Sequence, residues 1–195
     1  MAKFFGNLGS VLLLSFTLLV VVIFVFHGGT ETPVYINALF RFLHTLFGIM
    51  WIGLLYYFNF VQIPTMPSVP AELKPGVSKY IAPAALFWFR WAALATVVMG
   101  LAIAAHPPQQ YLVQALTFQE GYQLIGLGMW LGLIMAFNVW FVIWPNQKKA
   151  LGLVEADADT KAKAASTAMI FSRTNTLLSV PMLYTMVTQG ILGGS

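Results

Sequence analysis

The chain has no cysteine, and only 8% of its 195 residues are charged. The first absence excludes disulfide frameworks, cysteine-ligated zinc, iron–sulfur clusters and thiol catalysis together. The second excludes a soluble globular domain, since such chains are about 25% charged and need those groups at their surface. Acidic residues are scarcest, six in all, and only Glu120 stands near an apolar run, so proton pumping through buried carboxylates is not expected. No Ser/His/Asp triad, phosphate-cradling glycine loop or His-rich metal box is present. A net charge of +4 on few, scattered lysines is not the clustered basic patch of a nucleic-acid binder, so no nucleic acid is expected as partner. What is abundant is apolar: 59% hydrophobic residues and 15% aromatics, with a mean hydropathy of +0.79.

This composition implies an all-α integral membrane protein whose first partner is the lipid bilayer, with residues 1–195 forming a single membrane domain. A helix needs roughly 20 apolar residues to cross about 30 Å of hydrocarbon. Five runs qualify: Leu8–Phe26, Asn37–Ile63, Pro83–Ala105, Glu120–Trp144 and Ala168–Ile191. Turn residues separate them, as in His27-Gly28-Gly29 and His106-Pro107-Pro108. The first run follows Lys3 but leads into His27-Gly28-Gly29-Thr30 rather than a small-x-small cleavage site, and it reads as a retained span. Lys3, Lys74, Lys79, Lys148, Lys149, Lys161 and Lys163 all fall on one side of a five-span chain. The positive-inside rule then puts the N-terminus in the cytoplasm.

The second and fourth runs share a pattern. Trp51, Gly53, Leu54, Phe58 and Asn59 recur at the same offsets as Trp130, Gly132, Leu133, Phe137 and Asn138. The third and fifth echo each other through Arg90, Leu94 and Val97 against Arg173, Leu177 and Val180. The expectation is two parallel-repeat hairpins, 37–105 and 117–192, related by an axis along the membrane normal. Spans two to five would form a four-helix bundle, and residues 1–36 an anchor span and loop outside it. Gly128, Gly132 and Ala136 add a small-xxx-small stripe of the kind that marks close helix contact.

Ionisable residues inside a membrane need a reason. By the repeat, Asn59, Arg90, Asn138 and Arg173 form a polar layer near the lysine side, serving either as interhelical hydrogen bonding or as an anion, quinone or headgroup site. The offset of 79 also aligns Arg41 with Glu120 and His44 with Gln123, which suggests an outer ion pair and a buried His–Gln contact. His44 is the one histidine well inside a span, and a His between membrane helices can ligate haem b or a metal. His27 and His106, both at span ends, are weaker candidates for a second ligand. A structural His44, hydrogen-bonded to a backbone group or to Gln123, is the competing reading.

Phe42-Leu43-His44 through Trp51-Ile52-Gly53, then Phe89-Arg90-Trp91-Ala92-Ala93-Leu94-Ala95-Thr96, resembles the membrane domain of bacterial cytochrome-linked urate hydroxylases, the urate oxidase N-terminal family. The segment Met135-Ala136-Phe137-Asn138-Val139-Trp140-Phe141-Val142-Ile143-Trp144-Pro145-Asn146-Gln147-Lys148 carries the resemblance furthest, with Ser172-Arg173-Thr174-Asn175 and Ser179-Val180-Pro181-Met182 behind it. The similarity runs from about Arg41 to Met186. It implies a multi-pass protein of the bacterial inner membrane, working in electron transport. Family members carry a cytochrome c domain, whereas no Cys-x-x-Cys-His occurs before Ser195, and Gln189-Gly190 stands where the family has an Asn-His pair. The expected role is an accessory subunit of a larger respiratory or photosynthetic electron-transfer complex, more a non-catalytic subunit than an enzyme. The alternatives are a redox-active subunit holding haem b or a metal at His44 and, more distantly, a urate hydroxylase-type oxidoreductase.

Overall fold

The computed structural model describes residues 2–192, and among them the only regular structure is helical. After a short turn of helix at Ala2–Phe5 come α1 (Leu8–His27), α2 (Thr32–Ser68), α3 (Lys74–Ala105) and α4 (Gln123–Ala150), then α5 (Ala158–Leu192). A five-residue helix, Leu112–Leu116, lies between α3 and α4. α1 to α4 are long and apolar enough to cross a membrane. This is a membrane protein.

α5 departs from the expected fifth span. Its 35 residues would extend about 52 Å, so length is ample. Its hydropathy falls short because the face it buries carries Ser172, Asn175, Ser179 and Thr185. Those side chains are turned toward other helices, where hydrogen bonds satisfy them.

Three helices run past a proline by the same device. The π-helical turns Tyr57–Gln62, Val77–Ile81 and Asn138–Ile143 each end two residues before one, at Pro64, Pro83 and Pro145. Proline lacks an N–H, and its ring crowds the carbonyl four residues back. Widening the turn before it lets the helix continue. α5 carries Pro181 without such a turn.

α2 packs along α3, and α4 packs along α5, with lighter contacts between the two pairs. Toward the lysine-bearing end, Trp51, Leu55, Phe58, Phe89, Met135, Val139 and Ile143 form one core. A smaller cluster of Ala104, Ala115, Ile125 and Met129 closes the opposite end. Close packing holds such helices together, because lipid tails are as apolar as leucine and no hydrophobic force favours helix over lipid. α1 is apolar all round and buries no residue.

Candidate functional site

The polar groups near the lysine end converge on α5. Asn175, fully buried, donates from Nδ2 to the Met135 carbonyl at 2.9 Å and accepts at Oδ1 from Asn138 Nδ2 at 2.9 Å. One turn toward the N-terminus, Ser172 Oγ accepts from Asn59 Nδ2 at 2.8 Å. One turn beyond, Ser179 Oγ and Tyr56 Oη lie 2.9 Å apart. α5 is thereby tied to α2 and α4 through neutral amides and hydroxyls. Arg90 reaches the same level from α3 and sets its Cζ 3.3 Å from the Trp144 ring centroid, a cation–π contact.

The sequence expectation of four facing residues is met differently. Asn59, Arg90 and Asn138 are buried, but Arg173 is exposed, and Ser172 and Asn175 occupy the layer from α5. The physical reason lies in Trp144: where one hairpin has Trp144-Pro145 after its π turn, the other has Ile63-Pro64, with no ring to cover a guanidinium. Ser172, Asn175 and Ser179 were missed at the sequence level. Their signal is the spacing of small polar residues at i, i+3 and i+7 on one helix face.

In the other half of the molecule the helices part around a cavity of about 580 Å³ walled by α2, α3, α4, α5 and Tyr111. His44 lines it. Its Nδ1 lies 2.8 Å from the Thr96 carbonyl; a carbonyl only accepts, so Nδ1 carries the proton and donates. In the neutral ring Nε2 is then the acceptor, and it has no hydrogen-bond partner among the described residues. Gly100 makes room for the imidazole, since a Cβ there would stand 2.9 Å from His44 Cε1.

Arg41 lies one turn from His44 and lines the same cavity. The expected pair with Glu120 does not form: Arg41 Nε donates to Asn37 Oδ1 at 3.2 Å, and Nη2 donates to Gln109 Oε1. Asn37 in turn donates to the Ile103 carbonyl. An amide from α2 and another from the 106–111 loop thus hold the guanidinium, and Glu120 and Gln123 are both exposed. Tyr111, stacked on Tyr122 at 5.9 Å, brings a phenol to the cavity. Burial pushes that phenol's pKa up, and the nearby Arg41 cation pulls it part of the way back.

The small-residue stripe on α4 divides in two. A Cβ at Gly128 would collide with Thr185 Oγ1 of α5, so this glycine permits close helix contact. A Cβ at Gly132 would meet nothing within 4 Å, because Gly132 faces the cavity.

Haem b on two histidines does not fit these residues. Neither His27 nor His106 lines the cavity. His106 donates from Nδ1 to the Pro107 carbonyl at 2.7 Å and packs edge-on against Phe40, while His27 ends α1 and is exposed. Among the described residues no group of three or more His, Asp or Glu could hold a metal ion.

No curated protein and no solved structure matches the chain. The family model described as Urate oxidase N-terminal matches residues 109–191, which include Met135 to Lys148 and Ser172 to Met182 but neither Phe42 to Gly53 nor Phe89 to Thr96. Over its second hairpin, therefore, this membrane protein is similar to the urate oxidase N-terminal family.

Proposed function

We propose that the chain is an integral-membrane subunit of an electron-transfer assembly in a bacterial inner membrane, and that the cavity at His44 is its ligand site. In this reading α5 is the fifth span, completing a four-helix bundle of two hairpins, and the lysine-bearing end faces the cytoplasm. Lysines confined to that end support the orientation, and the match over 109–191 supports a urate oxidase-like membrane domain; the link to electron transport rests on the resemblance to cytochrome-linked urate hydroxylases alone. One observation carries the ligand site. The Nδ1–H of His44 is committed to a backbone carbonyl, which fixes the ring and its tautomer and leaves Nε2 without a protein partner on a residue that lines an interhelical cavity. A purely structural histidine has no need of a cavity at its second nitrogen.

The reading as a packing subunit is favoured by a different observation: α1 is apolar on every side and buries nothing, which suits a helix that docks on neighbouring helices. Both readings place the chain inside an assembly. They differ in whether His44 is used.

The test is to compare electron transfer in membranes containing the wild-type chain, the His44→Ala variant or no chain, alongside mild-detergent purification through a tag at the N-terminus. Co-isolation of redox subunits, with electron transfer lost on deletion and cut at least about tenfold by His44→Ala, is the expected result. If deletion changes nothing, the electron-transfer reading fails. If deletion abolishes transfer but His44→Ala does not, the packing subunit is correct. Urate-dependent reduction of an acceptor by the isolated chain would replace both with a hydroxylase.

A further inference from the structure

The cavity at His44 has a shape and an entrance that select among ligands. It lies between helices joined more tightly elsewhere: α2 and α5 are bonded through Tyr56–Ser179 and Asn59–Ser172 toward the lysine end, and they separate beyond that. Thr45, Ile49 and Gly53 of α2 and Val187 of α5 line the cavity and are also exposed on the outer surface of these helices. The opening is therefore sideways, toward the bilayer, rather than only along the helix axis toward water.

The walls are flat where it matters. Gly48, Gly53, Gly100 and Gly132 all line the cavity. A Cβ on Gly53 or Gly132 would enter open space, so no side chain narrows the slot there. Ile125, Met129, Met182 and Met186 supply much of the rest, and methionine adapts to a ring edge. A volume of about 580 Å³ falls within the about 300–1,000 Å³ of ordinary small-molecule sites. Polar groups are few and grouped toward one end: the unpartnered His44 Nε2, then Arg41 and the Tyr111 phenol.

Resting on the ligand site argued above, we propose that the occupant is an isoprenoid quinol or quinone drawn from the membrane. One ring hydroxyl of the quinol donates to His44 Nε2, and the oxygen across the ring accepts from the Tyr111 hydroxyl or the Arg41 guanidinium. The ring lies between His44 and Tyr111 with Gly48 beside it, and the isoprenoid tail runs along the slot at Gly53 and Gly132 and leaves past Ile49 and Val187 into lipid. Only binding is assigned. A water-soluble anion such as urate fits poorly, because the walls are apolar and the side entrance faces hydrocarbon, where an ion is costly. A bis-histidine haem lacks its second ligand.

The experiment uses the full chain in lipid nanodiscs, titrated with decylubiquinol and followed by fluorescence quenching, for which Trp51 in the cavity wall is the nearest reporter. Saturable binding is expected for decylubiquinol and not for decanol, which has a tail but no ring. Gly132→Leu fills the slot and is expected to abolish saturable binding. Gly53→Leu is a second filling variant at the side entrance, whose outcome is not tied to α4. His44→Ala removes one hydrogen bond and is expected to weaken binding about tenfold. Variants are compared only where elution volume and melting match wild type. The proposal is overturned if decanol competes as well as the quinol, or if all three variants bind like wild type. A haem absorbance that co-purifies with the chain and disappears in His44→Ala would overturn the quinol while leaving the ligand site at His44 standing.

Discussion

At the lysine-bearing end, helices meet through amides, hydroxyls and a close-packed aromatic core; in the other half, the same helices diverge around a cavity. Both halves contain polar residues inside an apolar molecule, but these are used differently. Asn175, Asn138 and Asn59 spend their amide donors on Ser172, on one another and on backbone carbonyls. His44 spends one nitrogen on Thr96 and keeps the other. Amides and hydroxyls paired between helices read as structure, even though Asn59 Oδ1 and Arg90 Nε and Nη1 at that end have no hydrogen-bond partner. A fixed group with one unused atom beside a cavity reads as a site.

The largest effect that would sharpen this contrast comes from glycines on α4. Alanine at Gly126 places a Cβ against the Ala115 carbonyl, a backbone atom of the Leu112–Leu116 helix that cannot swing aside. Gly126→Ala is expected to cost about 3 kcal/mol from overpacking, seen as a lowered thermal midpoint in detergent. Gly132→Ala, less than two turns away, adds its methyl to the cavity and is expected to stay within about 0.5 kcal/mol of wild type. Equal destabilisation by the two would erase the cavity from the account.

Next in size is the hub of the polar layer. Asn175→Ala leaves the buried Asn138 Nδ2 without its acceptor, which is expected to cost about 2 kcal/mol. Asn175→Asp keeps the acceptor and loses the donor to Met135, so comparing the two melts separates the bonds. A cost below about 0.5 kcal/mol for alanine would mean that packing alone joins α4 to α5.

The two arginines that the repeat aligns should behave unequally. Arg90 rests on Trp144, so Arg90→Ala is expected to cost about 1–2 kcal/mol. Arg173 is exposed, and its removal is expected to change stability by less than about 0.5 kcal/mol. Trp144→Leu should bring Arg90 down to the level of Arg173 in a double-mutant cycle.

The smallest effect lies outside the membrane. Asp157 accepts from the Thr160 N–H at 2.8 Å and the Thr160 hydroxyl at 2.7 Å, capping α5. These bonds to the Thr160 side chain and backbone hold its carboxyl below the usual carboxylate value. A depressed folded-state value means that the cap contributes fully above the unfolded value and is lost as pH falls through the folded one. Protection of the amides at 158–163, taken relative to their intrinsic exchange rate at each pH, should therefore fall in acid, and Asp157→Ala should show the low protection at neutral pH.

Much of this architecture was legible in the sequence. Apolar runs located α1 to α4, with ends off by as much as nine residues where the helices run on past the apolar stretch, because a bilayer demands about 20 apolar residues and few other structures do. The π turns were legible in principle, through Pro64, Pro83 and Pro145. The fifth helix was read as a span, while its stripe of serine, asparagine and threonine, which lowers the hydropathy, went unremarked. Arg90 and Arg173 could not be told apart from their own surroundings, since what separates them is a ring donated by another helix. His44 is half-buried, and its partner is the Thr96 backbone carbonyl. Of the two partners the sequence leaves open, a backbone group and Gln123, the structure has the first; main-chain acceptors leave no trace in side-chain spacing, so which carbonyl it is could not be read. Arg41 found Gln109 in a loop that helix periodicity does not describe.

The central claim is that one half of the molecule is sealed and the other contains an accessible site. The absence of native cysteine makes this directly measurable. Single cysteines at Gly132 in the cavity and at Ser179 in the polar layer can be exposed to a small apolar thiol reagent in nanodiscs, with and without decylubiquinol. Gly132→Cys is expected to be modified readily and protected by the quinol, while Ser179→Cys, buried to 0% exposure, is expected to react only after denaturation. Rapid modification at Ser179→Cys with Gly132→Cys inert would contradict the claim.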